Sequence, residues 1–250
     1  MGVVSLGLFG AQFQDVCPHR FFDEARQIAF TATALAEISL LVSASESHSQ
    51  KNLKRSRQEQ WANIAAMTDA AKGRFRLIGT ISVAFGCPFE GKVDARQVLA
   101  DVEAFARLGV GHITLGDTTG VATPATTRAL FAHILRELPQ ITPIAHFHDT
   151  RATGLVNYVA ALEAGVGYFD CAFGGVGGHP AKVKYGGGFT GNVGTEDWVG
   201  LLESMGVSTG IDLEKLLVVS LLCEQVLGRE LHSRVARSGL NPLLRQLGSK

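Results

Sequence analysis

Five short runs of apolar and β-branched residues recur at intervals of roughly 25–40 residues. They are EISLLV (37–42), FRLIGTISVA (75–84), HITLGD (112–117), ITPIAHFHD (141–149) and GYFDCAF (167–173). The segments between them carry apolar residues at helical spacing, as Val98, Val102 and Phe105 do after a candidate N-cap at Asp94. Strands that alternate with helices at this interval predict repeated βα units and a parallel sheet covered by helices.

Start and stop signals support these helices. Thr123 is a candidate N-cap with Pro124 at the first helical position, and the helical pattern after residue 152 ends at Gly165. Thr195 and Asp212 are candidate N-caps for two further helices near the C-terminus. The regular repeat runs without a linker or a low-complexity stretch, which favours a barrel over a doubly wound sheet.

The sequence therefore predicts an α/β fold of the TIM (β/α)₈ type as a single domain over 1–250. The first 36 residues fit it least well: 2–9 is a possible strand and 21–35 a possible helix, which brings the strands to about six. A closed barrel has eight, so we expect a barrel that is incomplete at the N-terminus, with a family-like core over 37–228. An open sheet exposes strand edges, and either 1–36 close the barrel or the chain is truncated, the interpretation we favour.

Composition limits the classes of partner. Lys and Arg together number 23, as do Asp and Glu, so the formal net charge is zero and no basic surface for nucleic acid is indicated. The longest apolar runs, such as LLVVSLLC, are too short to cross a membrane, and the N-terminus lacks the pattern of a signal peptide. Four scattered cysteines without a CxxC pair predict reduced thiols in a cytoplasmic protein.

Two histidines end the fourth predicted strand. Side chains two apart on a strand share a face, so His146 and His148 are expected to point into the barrel mouth while Phe147 points toward the helices. Two imidazoles on one face can bind one cation. The alternative is a hydrogen-bonded polar pair that lines the mouth, and the HxH pattern alone leaves both open.

Other polar residues follow strand ends. Asp117 ends the third predicted strand, and its alternative role is to cap the turn that follows. His179 and Asn192 lie in a glycine-rich loop after the last strand, which is either a mobile lid or a plain connection. Taken alone, His179 is also typical of a surface histidine.

Several motifs in order resemble the hydroxymethylglutaryl-CoA lyases, a family of the DRE-TIM metallolyase superfamily. The stretches that carry the resemblance are VSASESHSQKN (42–52), AFGCPFEGK (84–92), ITLGDTTGVATP (113–124), HFHDTRATGLVNYVAALEAGV (146–166), GGVGGHP (174–180), GNVGTEDWV (191–199) and MGVSTGIDLEKLL (205–217). They span about four-fifths of the chain. GCPFEGK and HFHDT favour the acyl-CoA lyase branch over the synthases.

The resemblance implies a divalent cation, Mg²⁺ or Mn²⁺, at the barrel mouth. It implies His146, His148 and Asn192 as ligands of that cation, with Asp117 close to the substrate. His179 stands where the family has a cysteine of its acid–base machinery, and histidine also transfers protons near neutral pH. The implied catalytic residues are therefore His179 and Asp117.

The implied reaction is a retro-Claisen cleavage of a 3-hydroxyacyl-CoA to acetyl-CoA or another acyl-CoA and a ketone or oxo-acid. Glu196 and Asp197 match the family's acidic pair, and Lys182 and Lys184 are candidates for contact with the acyl-CoA, or else solvated loop residues. The expected partners are the acyl-CoA substrate and a second copy in a homo-oligomer, with no nucleic acid or membrane.

One motif of the superfamily is absent, because no Arg-Asp dipeptide occurs in the chain. The family uses that aspartate as a metal ligand and that arginine as a positive charge at the developing enolate. Three hypotheses therefore stay open: a working acyl-CoA lyase, a catalytically impaired fragment or partner-dependent subunit of such a lyase, and a related metal-dependent oxo-acid aldolase.

Overall fold

The sheet of this protein has five parallel strands, seen in a computed structural model that describes residues 37–177 and 191–242. Each strand bonds to the next one along the chain, in the order β1-β2-β3-β4-β5. The strands are β1 Glu37–Ser43, β2 Arg76–Ser82, β3 His112–Asp117, β4 Thr142–Phe147 and β5 Tyr168–Phe169. An order without reversal is that of a barrel, since a doubly wound sheet changes direction at a switch point.

Eight α-helices accompany these strands within the described residues. They are α1 Glu46–Asn52, α2 Arg57–Ala71, α3 Ala95–Arg107, α4 Pro124–Glu137, α5 Gly154–Glu163, α6 Thr195–Ser204, α7 Leu213–Leu227 and α8 Arg234–Ser238. A short 3₁₀ turn covers Phe173–Gly175. None of the described helices is long and apolar enough to cross a membrane.

The predicted α/β barrel class is confirmed, and all five periodic runs contain strands. The sixth predicted strand, 2–9, lies outside the described residues. The fifth strand is shorter than predicted, because Ala172 pairs with Gly194 rather than with β4 and a 3₁₀ turn begins at Phe173. At Gly174 the backbone has φ +55, and an added Cβ would lie 2.2 Å from Cβ of Leu231, so the turn requires glycine.

Three of the predicted helix caps are confirmed. The side chains of Asp94, Thr123 and Asp212 each accept a hydrogen bond from a backbone N–H in the first turn of the helix that follows. The prediction for Thr195 is wrong, since α6 begins at that residue and its N-cap is Gly194. The backbone N–H of Thr195 donates to the Ala172 carbonyl at 2.9 Å, which ties the start of α6 to the chain beyond β5.

An aromatic cluster anchors the carboxyl end of β4. Phe147, Tyr158 and Trp198 are fully buried, and Phe169 is nearly so. The ring centroids of Phe147 and Tyr158 are 5.3 Å apart, and those of Tyr158 and Trp198 are 5.0 Å apart. Such contacts stabilise by about 0.5–1.5 kcal/mol per pair beyond the burial of apolar area, so the end of β4 is held rigidly from the helix side.

Replacing Gly79 of β2 with alanine is expected to destabilise the fold by about 1–3 kcal/mol, because it overpacks the core. A Cβ at this position would lie 2.8 Å from ring atoms of the buried Phe105. The measurement is the free energy of unfolding in urea. Gly111→Ala is the matched control, since a Cβ there meets only the Gln140 carbonyl at 3.7 Å. Equal effects of the two variants would contradict the prediction.

Candidate functional site

Polar side chains gather at the carboxyl ends of β3, β4 and β5. Asp117 is the last residue of β3 and pairs in register with Phe147, while Gly116 pairs with His146. Asp170 directly follows β5. His148 forms an antiparallel bridge with Asn192, which brings the segment after residue 190 to the same edge of the sheet.

The two histidines face each other as the strand alternation predicts. Nε2 of His146 lies 3.2 Å from Nε2 of His148, and Phe147 between them is fully buried on the helix side. Nitrogens this close share a proton in a hydrogen bond, which is the alternative that the sequence left open. Adjacent ligands of an octahedral cation with bonds of about 2.1 Å also lie roughly 3 Å apart, so the same pair fits a cation that replaces the shared proton.

Asn192 adds a third donor atom. Its side-chain N–H donates to the Val176 carbonyl at 2.9 Å, which sets the orientation of the amide. Its Oδ1 is buried and has no hydrogen-bond partner among the described residues. A buried acceptor without a donor costs about 1–3 kcal/mol, and a cation beside it would satisfy the oxygen.

The candidate donor atoms are two imidazole nitrogens and one amide oxygen, which are atom types that bind divalent cations. Within the parts of the chain that the structure describes, no group of three or more histidine, cysteine, aspartate or glutamate side chains is arranged to hold a metal ion. The set is therefore electrically neutral, whereas Mg²⁺ and Mn²⁺ prefer carboxylate oxygen. The roles of His146, His148 and Asn192 as ligands stay predictions.

His146 has an acidic neighbour on its other side. Its Nδ1 lies 3.2 Å from Oδ2 of Asp170. Burial lowers the pKa of His146, but the charge and hydrogen bonding of Asp170 act in the opposite direction and prevail, so the pKa is raised above its ordinary value.

Asp117 is fully buried, and both of its carboxylate oxygens are in use. Oδ1 accepts a hydrogen bond from the Val121 N–H at 2.9 Å, and Oδ2 accepts one from the Ala122 N–H at 3.0 Å. The carboxylate thus holds the loop between β3 and α4, as the capping alternative predicts. Burial raises its pKa to about 6, against the hydrogen bonds from the two N–H groups. A catalytic role for Asp117 stays a prediction.

The raised pKa of Asp117 predicts a pH dependence of stability. The folded pKa is about 6 and the ordinary value 3.8, a difference worth on the order of 3 kcal/mol. The folded state keeps this proton to higher pH than the unfolded state. The contribution of the protonated carboxyl to the free energy of unfolding is therefore complete below about pH 4 and is lost as pH rises through about 6. Relative to Asp117→Asn, which does not titrate, the metal-free wild type is expected to lose stability over this range in urea unfolding. A stability difference independent of pH would contradict the assignment.

The acidic pair at the start of α6 contacts protein groups. Glu196 is fully buried, and its carboxylate accepts a hydrogen bond from the Gly174 N–H, at 2.8 Å to Oε2. Burial raises the pKa of Glu196 against the hydrogen bond from the Gly174 N–H. Asp197 Oδ1 accepts from the hydroxyl of Ser233 at 2.9 Å and from the Val235 N–H at 2.8 Å, which ties α6 to α8. A role of either carboxylate toward substrate stays a prediction.

Three predicted site residues, His179, Lys182 and Lys184, lie outside the described residues. Asp170 also lies at the site and was not predicted from the sequence. A signal was present, because Asp170 follows the strand run GYF as Asp117 follows HITLG. The described cysteines, Cys87, Cys171 and Cys223, are free thiols, as predicted.

Parallel strands in sequential order, with polar side chains at their carboxyl ends, define a fold of the TIM-barrel class. A match to a known protein family gives the more specific assignment. The chain matches the HMGL-like family over residues 13–222, and it belongs to that family. The family assignment confirms the resemblance carried by the motifs.

Its relatives are lyases that act on CoA thioesters. The chain is 39% identical to the hydroxymethylglutaryl-CoA lyase YngG of Bacillus subtilis, over 79% of this chain and 65% of the relative. It is 37% identical to the (R)-citramalyl-CoA lyase of Chloroflexus aurantiacus, over 83% of this chain and 65% of the relative. The chain thus spans about 65% of the length of the curated relatives that it matches.

A solved structure agrees in fold. An HMG-CoA lyase from Acinetobacter baumannii, in complex with coenzyme A and 3-methylmalate, superposes with a TM-score of 0.78 at 36% identity. The match covers 87% of this chain and 69% of that one. The five-stranded sheet described above is therefore the fold of an HMG-CoA lyase barrel over the matched part.

Proposed function

We propose that this protein is a metal-dependent carbon–carbon lyase that cleaves a 3-hydroxyacyl-CoA by a retro-Claisen reaction. The observation that carries the proposal is the pair of Nε2 atoms of His146 and His148, 3.2 Å apart at the carboxyl edge of the sheet. The buried Oδ1 of Asn192, without a partner among the described residues, supports it. Membership of the HMGL-like family supplies the reaction class.

The proposed roles follow from the side chains. His146, His148 and Asn192 would hold a divalent cation, Mg²⁺ or Mn²⁺. When bound, such a cation supplies positive charge that polarises substrate oxygens. The Phe147 ring between the two histidines is fixed in the aromatic cluster, so the imidazoles are positioned before substrate arrives.

Cleavage requires two proton transfers. A base removes the proton of the substrate hydroxyl, the bond between the carbinol carbon and the thioester α-carbon breaks, and the resulting enolate takes up a proton to give the acyl-CoA. His179 is the candidate for this work because imidazole gains and loses protons near neutral pH.

The first candidate substrate is 3-hydroxy-3-methylglutaryl-CoA, which would yield acetyl-CoA and acetoacetate. A second is citramalyl-CoA, which would yield acetyl-CoA and pyruvate, since a citramalyl-CoA lyase matches the chain at nearly the same identity. An acyl-CoA as the binding partner belongs to this proposal. Assembly into a homo-oligomer and a cytoplasmic location stay predictions.

The test is an assay of the purified chain, stripped of metal with EDTA and then supplied with Mn²⁺. Each CoA ester and each corresponding free acid is offered, and the products are followed by mass. We expect acetyl-CoA from at least one ester, only when Mn²⁺ is present. Cleavage of the free acids would favour the oxo-acid aldolase. A folded protein that releases no acetyl-CoA from either ester would contradict the proposal and favour the impaired fragment or partner-dependent subunit.

A further inference from the structure

Asp170 contacts the nitrogen of His146 that does not face the other histidine. Its Oδ2 lies 3.2 Å from Nδ1 of His146, while Nε2 of the same ring lies 3.2 Å from Nε2 of His148. Nδ1 is buried and has no well-aligned hydrogen bond to any described residue, Asp170 included, so the observation is a close approach of the carboxylate to the ring nitrogen. The Asp170 side chain is 42% exposed.

The backbone of Asp170 is held in place independently of its side chain. Its N–H donates to the Ala145 carbonyl at 2.9 Å, which continues the pairing of β5 with β4. Its carbonyl accepts a hydrogen bond from the hydroxyl of Tyr158. Tyr158 is fully buried in the aromatic cluster, so the protein core fixes the position of the Asp170 backbone from which the carboxylate extends.

The chemistry of the contact decides the state of the imidazole. An ionised carboxylate only accepts hydrogen bonds, so the ring nitrogen that it contacts must carry the proton. A neutral imidazole has one N–H, and a proton on Nδ1 leaves the lone pair on Nε2. Histidines that bind metals in proteins commonly donate their second N–H to a carboxylate in this way.

We propose that Asp170 is a positioning residue that holds His146 as the Nδ1–H tautomer, with Nε2 directed toward His148 and available to a cation. The inference rests on the proposed function of the histidine pair and adds a residue to it. Asp170 itself contacts neither the cation nor the substrate in this assignment. The observed carboxylate contact is with Nδ1 of His146, so the effect concerns that ring.

Two measurements on the full chain test the proposal. In the metal-free protein, nitrogen-15 NMR of the imidazoles reports which nitrogen of His146 carries the proton, with the signals assigned by their loss in His146→Ala. The wild type is expected to show Nδ1–H, and Asp170→Ala is expected to show a mixture with Nε2–H. An Nε2–H tautomer in the wild type, or an unchanged tautomer in Asp170→Ala, would overturn the proposal whether or not the protein binds metal.

The second measurement is a titration of the full chain with Mn²⁺, followed by electron paramagnetic resonance. Asp170→Ala is expected to bind Mn²⁺ about 10–100-fold more weakly than the wild type. Asp170→Asn is expected to lie between them, because its amide can present either an oxygen or an N–H to the ring. Asp94→Asn, which removes the same charge from an exposed helix cap, is expected to bind like the wild type. Affinity of Asp170→Ala within twofold of wild type would refute the role, whereas a wild type that binds no Mn²⁺ would refute the proposed metal site instead.

Discussion

Replacing both His146 and His148 with alanine is expected to lower Mn²⁺-dependent cleavage by at least about 100-fold. Loss of a residue that only orients a metal ligand typically decreases affinity or activity 10–100-fold, and removal of the ligands themselves should do more. The variant keeps Phe147 in the aromatic cluster, so the end of β4 should hold its place. The measurement is the initial rate of acetyl-CoA formation at saturating Mn²⁺.

The matched control is His133→Ala. His133 lies in the C-terminal half of α4, away from the carboxyl edge of the sheet, and contacts Arg136. This variant is expected to retain the wild-type rate. Circular dichroism of both variants shows whether the fold is kept. A double variant that is folded and cleaves within about tenfold of wild type would exclude the histidine pair as the metal site, since such a loss is too small even for an orienting residue.

Replacing Asp101 with alanine is expected to destabilise the fold by about 3–5 kcal/mol, because it leaves a buried charge without its partner. Oδ1 of Asp101 lies 2.6 Å from Nη2 of Arg57, and their side chains are only 3% and 15% exposed. Arg57 also donates to the carbonyl of Ser43, so the pair joins α2 and α3 to the end of β1. The measurement is the free energy of unfolding in urea.

An exposed ion pair with a similar distance between its charged atoms gives the comparison. Arg128 and Glu163 lie 2.7 Å apart with side chains 51% and 53% exposed. Glu163→Ala is expected to change stability by less than about 1 kcal/mol, since water screens exposed charges. Burial raises the pKa of Asp101 more than Arg57 lowers it, so the desolvation of this carboxyl outweighs the attraction. Equal losses in the two alanine variants would show that burial does not set the effect.

Local signals in the sequence were enough for the strands and most helix starts. The caps at Asp94, Thr123 and Asp212 were predictable because a cap depends on a side chain and a backbone N–H a few residues away. The shared face of His146 and His148 followed from the twofold period of a strand. The start of α6 was predicted one residue too late: its N-cap is Gly194, and the backbone N–H of Thr195 donates to the carbonyl of Ala172, 23 residues earlier.

The sequence by itself determined the class of fold and the family, since repeated βα periods and ordered motifs are properties of the chain. Only the tertiary structure decided which polar groups meet. It joined Asp170 to His146 and Asn192 to His148. The reason is physical: partners 24 to 44 positions apart are brought together by strand register and side-chain packing, which no local pattern of residues specifies.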